Sequence, residues 1–170
     1  YSYYKTNGDT IIGGKTYTVI EKNTSSAAYC FLREENNTVF CKMSFDSQKD
    51  TSEFALYDFN VHVGDTVMLP IIHNYLDYYQ SVVIGEDSVL IGADYHRRIT
   101  IYSWVILEFI EGIGSIQGLL YPEIPLVDWG ANLNCFSLND TKFKIDGSGS
   151  TSKGNCYKQI GFEQTISTSS

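Results

Sequence analysis

The sequence predicts a single all-β domain that spans residues 1–170. Aromatic residues make up 14% of the chain and charged residues only 19%, a balance typical of folded β proteins. Short alternating apolar segments recur between Gly, Asn and Asp turns, while helix-forming patterns are scarce. Because nearly every connection is hairpin-short, we expect an antiparallel meander of about ten to twelve strands, with a barrel-like (calycin-like) architecture favoured over a β-sandwich.

Turn and strand signals predict how the two ends of the domain are built. Residues 1–7 are expected to form an N-terminal arm, followed by turns at Gly8-Asp9-Thr10 and Gly13-Gly14. Lys15 to Glu21 then alternates as a strand. At the other end, the Ser- and Thr-rich residues 165–170 are expected to be a disordered tail.

The middle of the chain predicts further short strands. Val67 to Ile72 contains Pro70, which is tolerated only at a sheet edge or a bulge. Ser81 to Ile84 and Ser88 to Ile91 are expected to be separate strands around a turn at Gly85-Glu86-Asp87. This region therefore extends the meander.

The clearest hairpin, Ala28 to Met43, carries two of the four cysteines. Alternation places Cys30 and Cys41 on one face, and a four-residue loop would bring their Cα atoms to about 4.5 Å, within disulfide range. With a two-residue loop we expect them still to face each other, in the wider kind of pair. The hairpin thus predicts a Cys30–Cys41 disulfide, with free buried thiols as the alternative. Cys135 and Cys156 would then form a second bridge. Disulfides imply an oxidising compartment.

The most apolar stretch, Trp104 to Tyr121, starts as a strand and continues into a glycine-rich segment. Gly112, Gly114 and Gly118 indicate a bulge or sharp turn where two backbones approach closely. The same segment imitates a dinucleotide-binding loop, but it is one residue too long and a proline prevents the helix that should follow. We therefore assign these glycines a structural role.

Two carboxylates in this stretch suggest glycoside hydrolysis. Glu108 and Glu111 are three residues apart, so on a regular strand their side chains point to opposite faces and cannot share a site unless a bulge intervenes. We instead expect Glu111 to form an ion pair with Arg97 or Arg98 on the preceding strand.

Charge and motif content argue against several functions. The net charge is −8, and the sequence contains no basic patch that could bind nucleic acid or anionic lipid. No apolar run reaches the roughly 18 residues of a transmembrane helix. There is no C-x-x-C pair, no nucleophile elbow and no paired-histidine motif, so we expect no metal, no cofactor and no catalytic residues.

Aromatic residues are the best candidates for binding. His73 to Gln80 is expected to be an aromatic loop or short helical turn that presents Tyr75, Tyr78 and Tyr79, and Trp129 lies in another loop. Exposed rings stack on sugar faces or anchor protein partners. The alternative is that these rings cover the barrel ends or fill the core.

Several motifs occur together in one order along the chain. They are LREENNTVF (Leu32 to Phe40), LYDFNVHVGDT (Leu56 to Thr66), RRI (Arg97 to Ile99), EGIGSIQGLL (Glu111 to Leu120) and CFSLND (Cys135 to Asp140). In this combination the chain resembles a group of secreted or surface proteins of Bacteroidetes of unknown function, often found with type IX sorting domains or lipoprotein signals.

That resemblance implies an extracytoplasmic location, as a secreted protein or an outer-surface lipoprotein. It transfers no catalytic residues, because the group has no assigned activity. It also implies that a pair of the Cys135 type occurs more regularly in the group than a hairpin pair.

The function predicted from these observations is a non-catalytic interaction module that binds a glycan or a protein at the cell surface. One alternative is a hydrolase acting on a polysaccharide or cell-envelope substrate, and another is a purely structural accessory domain. A deep pocket with two carboxylates on one face would favour the hydrolase, and a shallow aromatic patch would favour the binding module.

Overall fold

The computed structural model confirms the all-β, barrel-like prediction: the described residues are almost entirely strands and the turns between them, and one of two sheets is strongly curled into a half-barrel. It describes residues 3–23, 27–44, 52–72, 76–120, 133–138, 141–145, 151–153 and 162–165. Within these ranges there is no helix long and apolar enough to cross a membrane.

The described residues form strands that follow one another as meanders. They are β1 (Tyr3–Ile12), β2 (Lys15–Lys22), β3 (Ala28–Glu35), β4 (Thr38–Met43), β5 (Phe54–Asp58), β6 (Thr66–Ile72), β7 (Leu76–Ile91), β8 (Asp94–Ser103), β9 (Val105–Ile110), β10 (Gly114–Ser115), β11 (Leu133–Leu138), β12 (Thr141–Ile145), β13 (Thr151–Lys153) and β14 (Phe162–Thr165).

Two sheets result from this order. Strands β6 to β10 form a five-stranded antiparallel sheet in sequence order, and β1 to β5 do the same within a nine-stranded sheet. The nine-stranded sheet continues beyond β1 through β14, β11, β12 and β13. There β14 runs parallel to both β1 and β11, so the prediction of a purely antiparallel meander is wrong at this point.

The N-terminal arm is a second correction. Residues 3–7 belong to β1, where Tyr4 pairs with Lys22. The expected turn at Gly8 is a bulge within that strand, with the register shifting between Thr6 and Asp9 and a Gly8 φ of 67°. The chain reverses only at Gly13-Gly14, as predicted.

Strand β7 likewise replaces elements that were predicted as separate. It runs unbroken through the expected Gly85-Glu86-Asp87 turn, and Ile84 is the extra residue of a bulge opposite β8. Because of this bulge the strand continues through Gly85, which pairs with Thr100, and the chain does not reverse. The proline-containing strand β6 lies at the edge of its sheet, which confirms the expectation for Pro70.

The β3–β4 hairpin has the shorter of the two loops considered, with two residues, and with this loop Cys30 does not face Cys41, contrary to expectation. Asn36 and Asn37 have φ values of 52° and 57°, the left-handed pair that a tight hairpin turn requires and that Asn tolerates. Consequently Leu32 pairs with Cys41, and Cys30 pairs with Met43.

This register explains why the Cys30–Cys41 disulfide prediction is wrong. The two cysteines share a face, as predicted, but they are two residues out of register and so do not face each other. Both are free and fully buried. Burial raises the pKa of the Cys30 thiol well above its ordinary value. The side chain of Cys135 and all of Cys156 lie outside the described residues, as do residues 166–170 of the predicted tail.

The main core lies between the two sheets. Its buried side chains include Ile20, Cys30, Cys41, Leu56 and Tyr57 from the nine-stranded sheet, and Leu69, Val83, Ile99, Ile101, Leu107 and Phe109 from the five-stranded sheet. A second cluster of Ile91, Ile110, Ile113 and Phe143 covers one end of the outer face of the five-stranded sheet. The other end of that face has no such cover in the described part of the chain.

The glycine-rich segment turns sharply after β9, as predicted. Gly112, Gly114 and Gly118 all have positive φ, and β10 folds back so that Gly114 pairs with Ile110. A Cβ atom on Gly114 would lie 2.9 Å from the ring of Tyr57. Glycine is therefore required where the segment meets the opposite sheet.

We expect Gly114→Ala to lower the free energy of unfolding by about 3 kcal/mol, because the added methyl group overlaps Tyr57 and the backbone conformation is strained. Gly14→Ala is the matched control: its φ is 80°, but nothing lies within 4 Å of the added Cβ. It should cost only about 1–2 kcal/mol. Urea denaturation measures both losses, and equal losses would contradict the packing argument.

We also expect Cys30 and Cys41 to resist alkylation by iodoacetamide in the native protein and to react fully after unfolding without reductant. The reason is that both side chains are fully buried and out of reach of the reagent. Burial also raises the pKa of the Cys30 thiol, so this residue supplies almost no thiolate. Peptide mapping by mass spectrometry measures the modification. Recovery of a disulfide-linked peptide that contains both residues would refute the assignment.

Candidate functional site

The described part of the predicted aromatic loop, residues 76–80, is a strand in the structure. Tyr78 and Tyr79 lie in β7, opposite Pro70 and Leu69 of β6. Alternation turns them to opposite faces, so Tyr78 is 42% exposed while Tyr79 is half-buried. Tyr75 and Trp129 lie outside the described residues. Of the four predicted binding residues, Tyr78 alone is thereby placed on a described, exposed surface.

That surface is the outer face of the five-stranded sheet. One cross-strand row joins Val82, Tyr102 and Ile106 on β7, β8 and β9. These side chains are 40%, 55% and 58% exposed. Their neighbours in sequence, such as Val83 and Ile101, point into the core instead. Both faces of this sheet are therefore apolar at this end. An antiparallel sheet with one face in solvent usually carries polar side chains on that face.

Trp104 lies at the tip of the β8–β9 hairpin, two residues from both Tyr102 and Ile106. It is the single residue between Ser103 and Val105, which pair with each other, and it has a φ of 59°. A non-glycine residue in this left-handed region carries a cost of about 1 kcal/mol. Its indole is 76% exposed, so no burial within the domain offsets that cost.

We call the exposed set on this face the apolar platform. It consists of Met68, Val82, Ile84, Tyr102, Trp104 and Ile106, with Tyr78 at its edge. Trp104 was predicted to begin the apolar strand, and Tyr102 was not predicted as a binding residue. The signal that could have found both is the alternation of Thr100, Tyr102 and Trp104 against Ile99, Ile101 and Ser103.

Charged residues lie beside the platform, farther along the same strands. Arg98 donates to Asp87 at 2.8 and 2.5 Å and lies 3.7 Å from Glu108. The arginine lowers the pKa of the Asp87 carboxyl. These groups give the platform a polar rim on the side that faces the second hydrophobic cluster.

The predicted ion pair of Glu111 with Arg97 or Arg98 is wrong. Arg98 pairs with Asp87 and Glu108, and Arg97 pairs with Glu86. Arg97 also donates to the backbone carbonyls of Phe59 and Val61. Because β9 ends at Ile110, Glu111 meets β8 through its backbone, with its amide donating to the Arg97 carbonyl at 2.9 Å.

A charged cluster occupies the outer face of the nine-stranded sheet. Arg33 binds both carboxylate oxygens of Glu53, at 2.5 and 2.6 Å, and stacks over the ring of Phe40. Tyr17 donates to the same carboxylate at 2.5 Å, and Lys15 lies at 3.1 Å. Hydrogen bonding to Arg33 lowers the pKa of Glu53 to about 2. Each of these groups already has a partner within the cluster, so we interpret it as structural and call it the Arg33–Glu53 brace.

A cavity of about 380 Å³ lies on the concave side of the nine-stranded sheet, closed by the glycine-rich segment. Its lining includes one carboxylate, Glu34, and it therefore lacks the carboxylate pair expected of a hydrolase pocket within the described residues. Among those residues no three His, Cys, Asp or Glu side chains come together to hold a metal ion.

We expect Glu53→Gln to destabilise the protein by about 2 kcal/mol at pH 7, because it leaves Arg33 partly unpaired. The mutation should also flatten the acid limb of the stability curve. The folded-state pKa of Glu53, about 2, lies below its ordinary value of 4.5. The folded chain thus binds fewer protons between these values, and the stability present above pH 4.5 is lost as the pH falls toward 2.

Urea midpoints measured from pH 7 to pH 2 test this effect. Glu35→Gln is the control, since Glu35 binds the same arginine at 2.6 Å but its side chain is 56% exposed. It should retain the wild-type slope. An acid limb that stays equally steep in Glu53→Gln would rule out Glu53 as its source.

The chain matches no protein-family model, no curated protein and no solved structure.

Proposed function

We propose that this domain is a non-catalytic interaction module whose apolar platform docks a protein partner outside the cytoplasm. The observation that carries the proposal is Trp104, which holds a large indole in solvent on a left-handed backbone. Neither the exposure nor the strain adds to folding stability. A binding role accounts for both.

The composition of the platform supports a protein partner over a glycan. Aromatic residues and methionine are enriched at the centres of protein interfaces, and charged residues are confined to the rim. Tyr102 and Trp104 supply the rings, and Arg98 lies on the rim side. Met68, Val82, Ile84 and Ile106 add aliphatic surface that offers no hydrogen bond to sugar hydroxyls. A glycan platform would need polar side chains among its rings.

The location outside the cytoplasm rests on the resemblance to exported proteins. An oxidising compartment is the setting in which Cys135 and Cys156 would form a disulfide. The hydrolase alternative has less support, because the described lining of the cavity carries one carboxylate. The structural accessory domain is the outcome expected if the platform has no partner.

Photo-cross-linking tests the proposal directly. p-Benzoylphenylalanine is placed at position 102 or, as a control, at position 95, and the protein is irradiated with a cell-surface extract of its source organism. Tyr95 is 75% exposed at the opposite end of the same strand, so the control position is at least as accessible as position 102, which is 55% exposed. We expect one defined protein to be captured from position 102 and not from position 95.

Affinity measurements with the purified, captured protein then decide the case. Trp104→Ala should weaken binding about 30-fold, the effect of losing about 2 kcal/mol at an interface centre. Tyr95→Ala should change it less than about 2-fold. Capture at neither position, or equally at both, contradicts the proposal. A glycan-array signal that disappears in Tyr102→Ala would identify the platform as a sugar-binding face instead.

A further inference from the structure

The cavity inside the half-barrel is a site separate from the platform. Its volume of about 380 Å³ lies in the lower part of the range of small-molecule pockets, about 300–1,000 Å³. It is bounded on one side by the concave faces of β1 to β5 and on the other by residues 112–119. A platform on the outer face of the other sheet and a cavity between the sheets cannot share a ligand.

The walls of the cavity are apolar. Alternation along β2 and β3 turns Ile20 and Leu32 inward. Val39, Phe59, Ile113 and Leu119 add apolar surface together with the ring of Tyr57, while Thr6 and Thr18 are polar members of the lining. Because the lining is mainly apolar, it favours an occupant with an apolar body.

Among the described residues, the closed end offers no free polar side-chain group. The Tyr57 hydroxyl donates to the carbonyl of Leu119, and burial raises its pKa above its ordinary value. The ring also packs against Gly114 and forms an edge contact with Phe109 at 4.9 Å. Recognition of polar groups must therefore occur at the rim.

The rim carries one carboxylate among the described lining residues, that of the exposed Glu34. Arg33 is adjacent in sequence, but its guanidinium lies on the other face of the sheet, bound to Glu53 and Glu35. It does not neutralise Glu34. With a net charge of −8 on the chain, the field at this opening favours a cation.

We propose that the half-barrel binds a small amphipathic cation, with its apolar body in the chamber of Ile20, Leu32 and Phe59 and its positive group at Glu34. The site is independent of the proposed protein-binding function, since no residue is shared between the cavity and the platform. The bound molecule would bury its chain without breaking any contact of the Arg33–Glu53 brace.

Isothermal titration calorimetry with a matched pair of surfactants tests the site. Decyltrimethylammonium and decyl sulfate, both below their micellar concentrations, share the apolar chain and differ in charge. We expect the cation to bind the full chain at one site and the anion to bind more weakly. Glu34→Lys should reverse this preference, and Glu34→Gln should weaken the cation about 2- to 5-fold, as for an exposed charge pair.

Two further variants locate the binding. Leu32→Trp fills the chamber and should abolish binding, whereas Tyr102→Ala on the platform should leave it unchanged. If Leu32→Trp does not fold, the exposed Glu34→Lys variant decides the case alone. The proposal fails if neither surfactant binds, if Glu34→Lys does not alter the preference, or if Tyr102→Ala removes the binding, which would place the surfactant on the platform.

Discussion

The contact between Tyr57 and the glycine-rich segment sets the spacing of the two sheets. The tyrosine comes from β5, at one edge of the nine-stranded sheet, and Gly114 from β10, at one edge of the five-stranded sheet. The ring fits only because the glycine has no side chain, and the hydroxyl group is bound to the carbonyl of Leu119. Farther in, the same ring packs on Phe109 in the core. One aromatic side chain thus joins the core, the closure of the cavity and the turn after β9.

Local pattern predicted the elements well where the relevant forces are local. Alternation in the β3–β4 hairpin correctly placed Cys30, Leu32 and Cys41 on the inward face, because side chains in a strand point to the same face at every second residue. The exact register depended on whether Asn36 and Asn37 adopt left-handed conformations, which their sequence permits but does not require. A shift of two residues kept every side chain on its face and changed only the partners.

Features set by distant contacts were beyond the sequence pattern. The parallel pairing of β14 with β1 depends on contacts between residues far apart in sequence, and the local sequence around either strand does not predict such contacts. The partner of Arg98 depended on the end of β9, which leaves Glu111 past the last paired residue, so that Asp87 and Glu108 face the arginine instead. Tyr78 was predicted as exposed, but the platform around it was missed, because alternation alone does not tell which part of an outer face the rest of the chain covers.

The position of β14 has a consequence for how the molecule reaches its folded state. Tyr3 pairs with Glu163, so completion of the nine-stranded sheet joins residues from nearly opposite ends of the sequence. Until β14 arrives, β1 and β11 have unsatisfied backbone hydrogen-bonding edges, which are templates for pairing with other chains. Such non-local closure slows folding, because the entropy of a very long loop is lost before any contact is gained. The interval between emergence of β1 and insertion of β14 is therefore the period in which this protein is most exposed to aggregation.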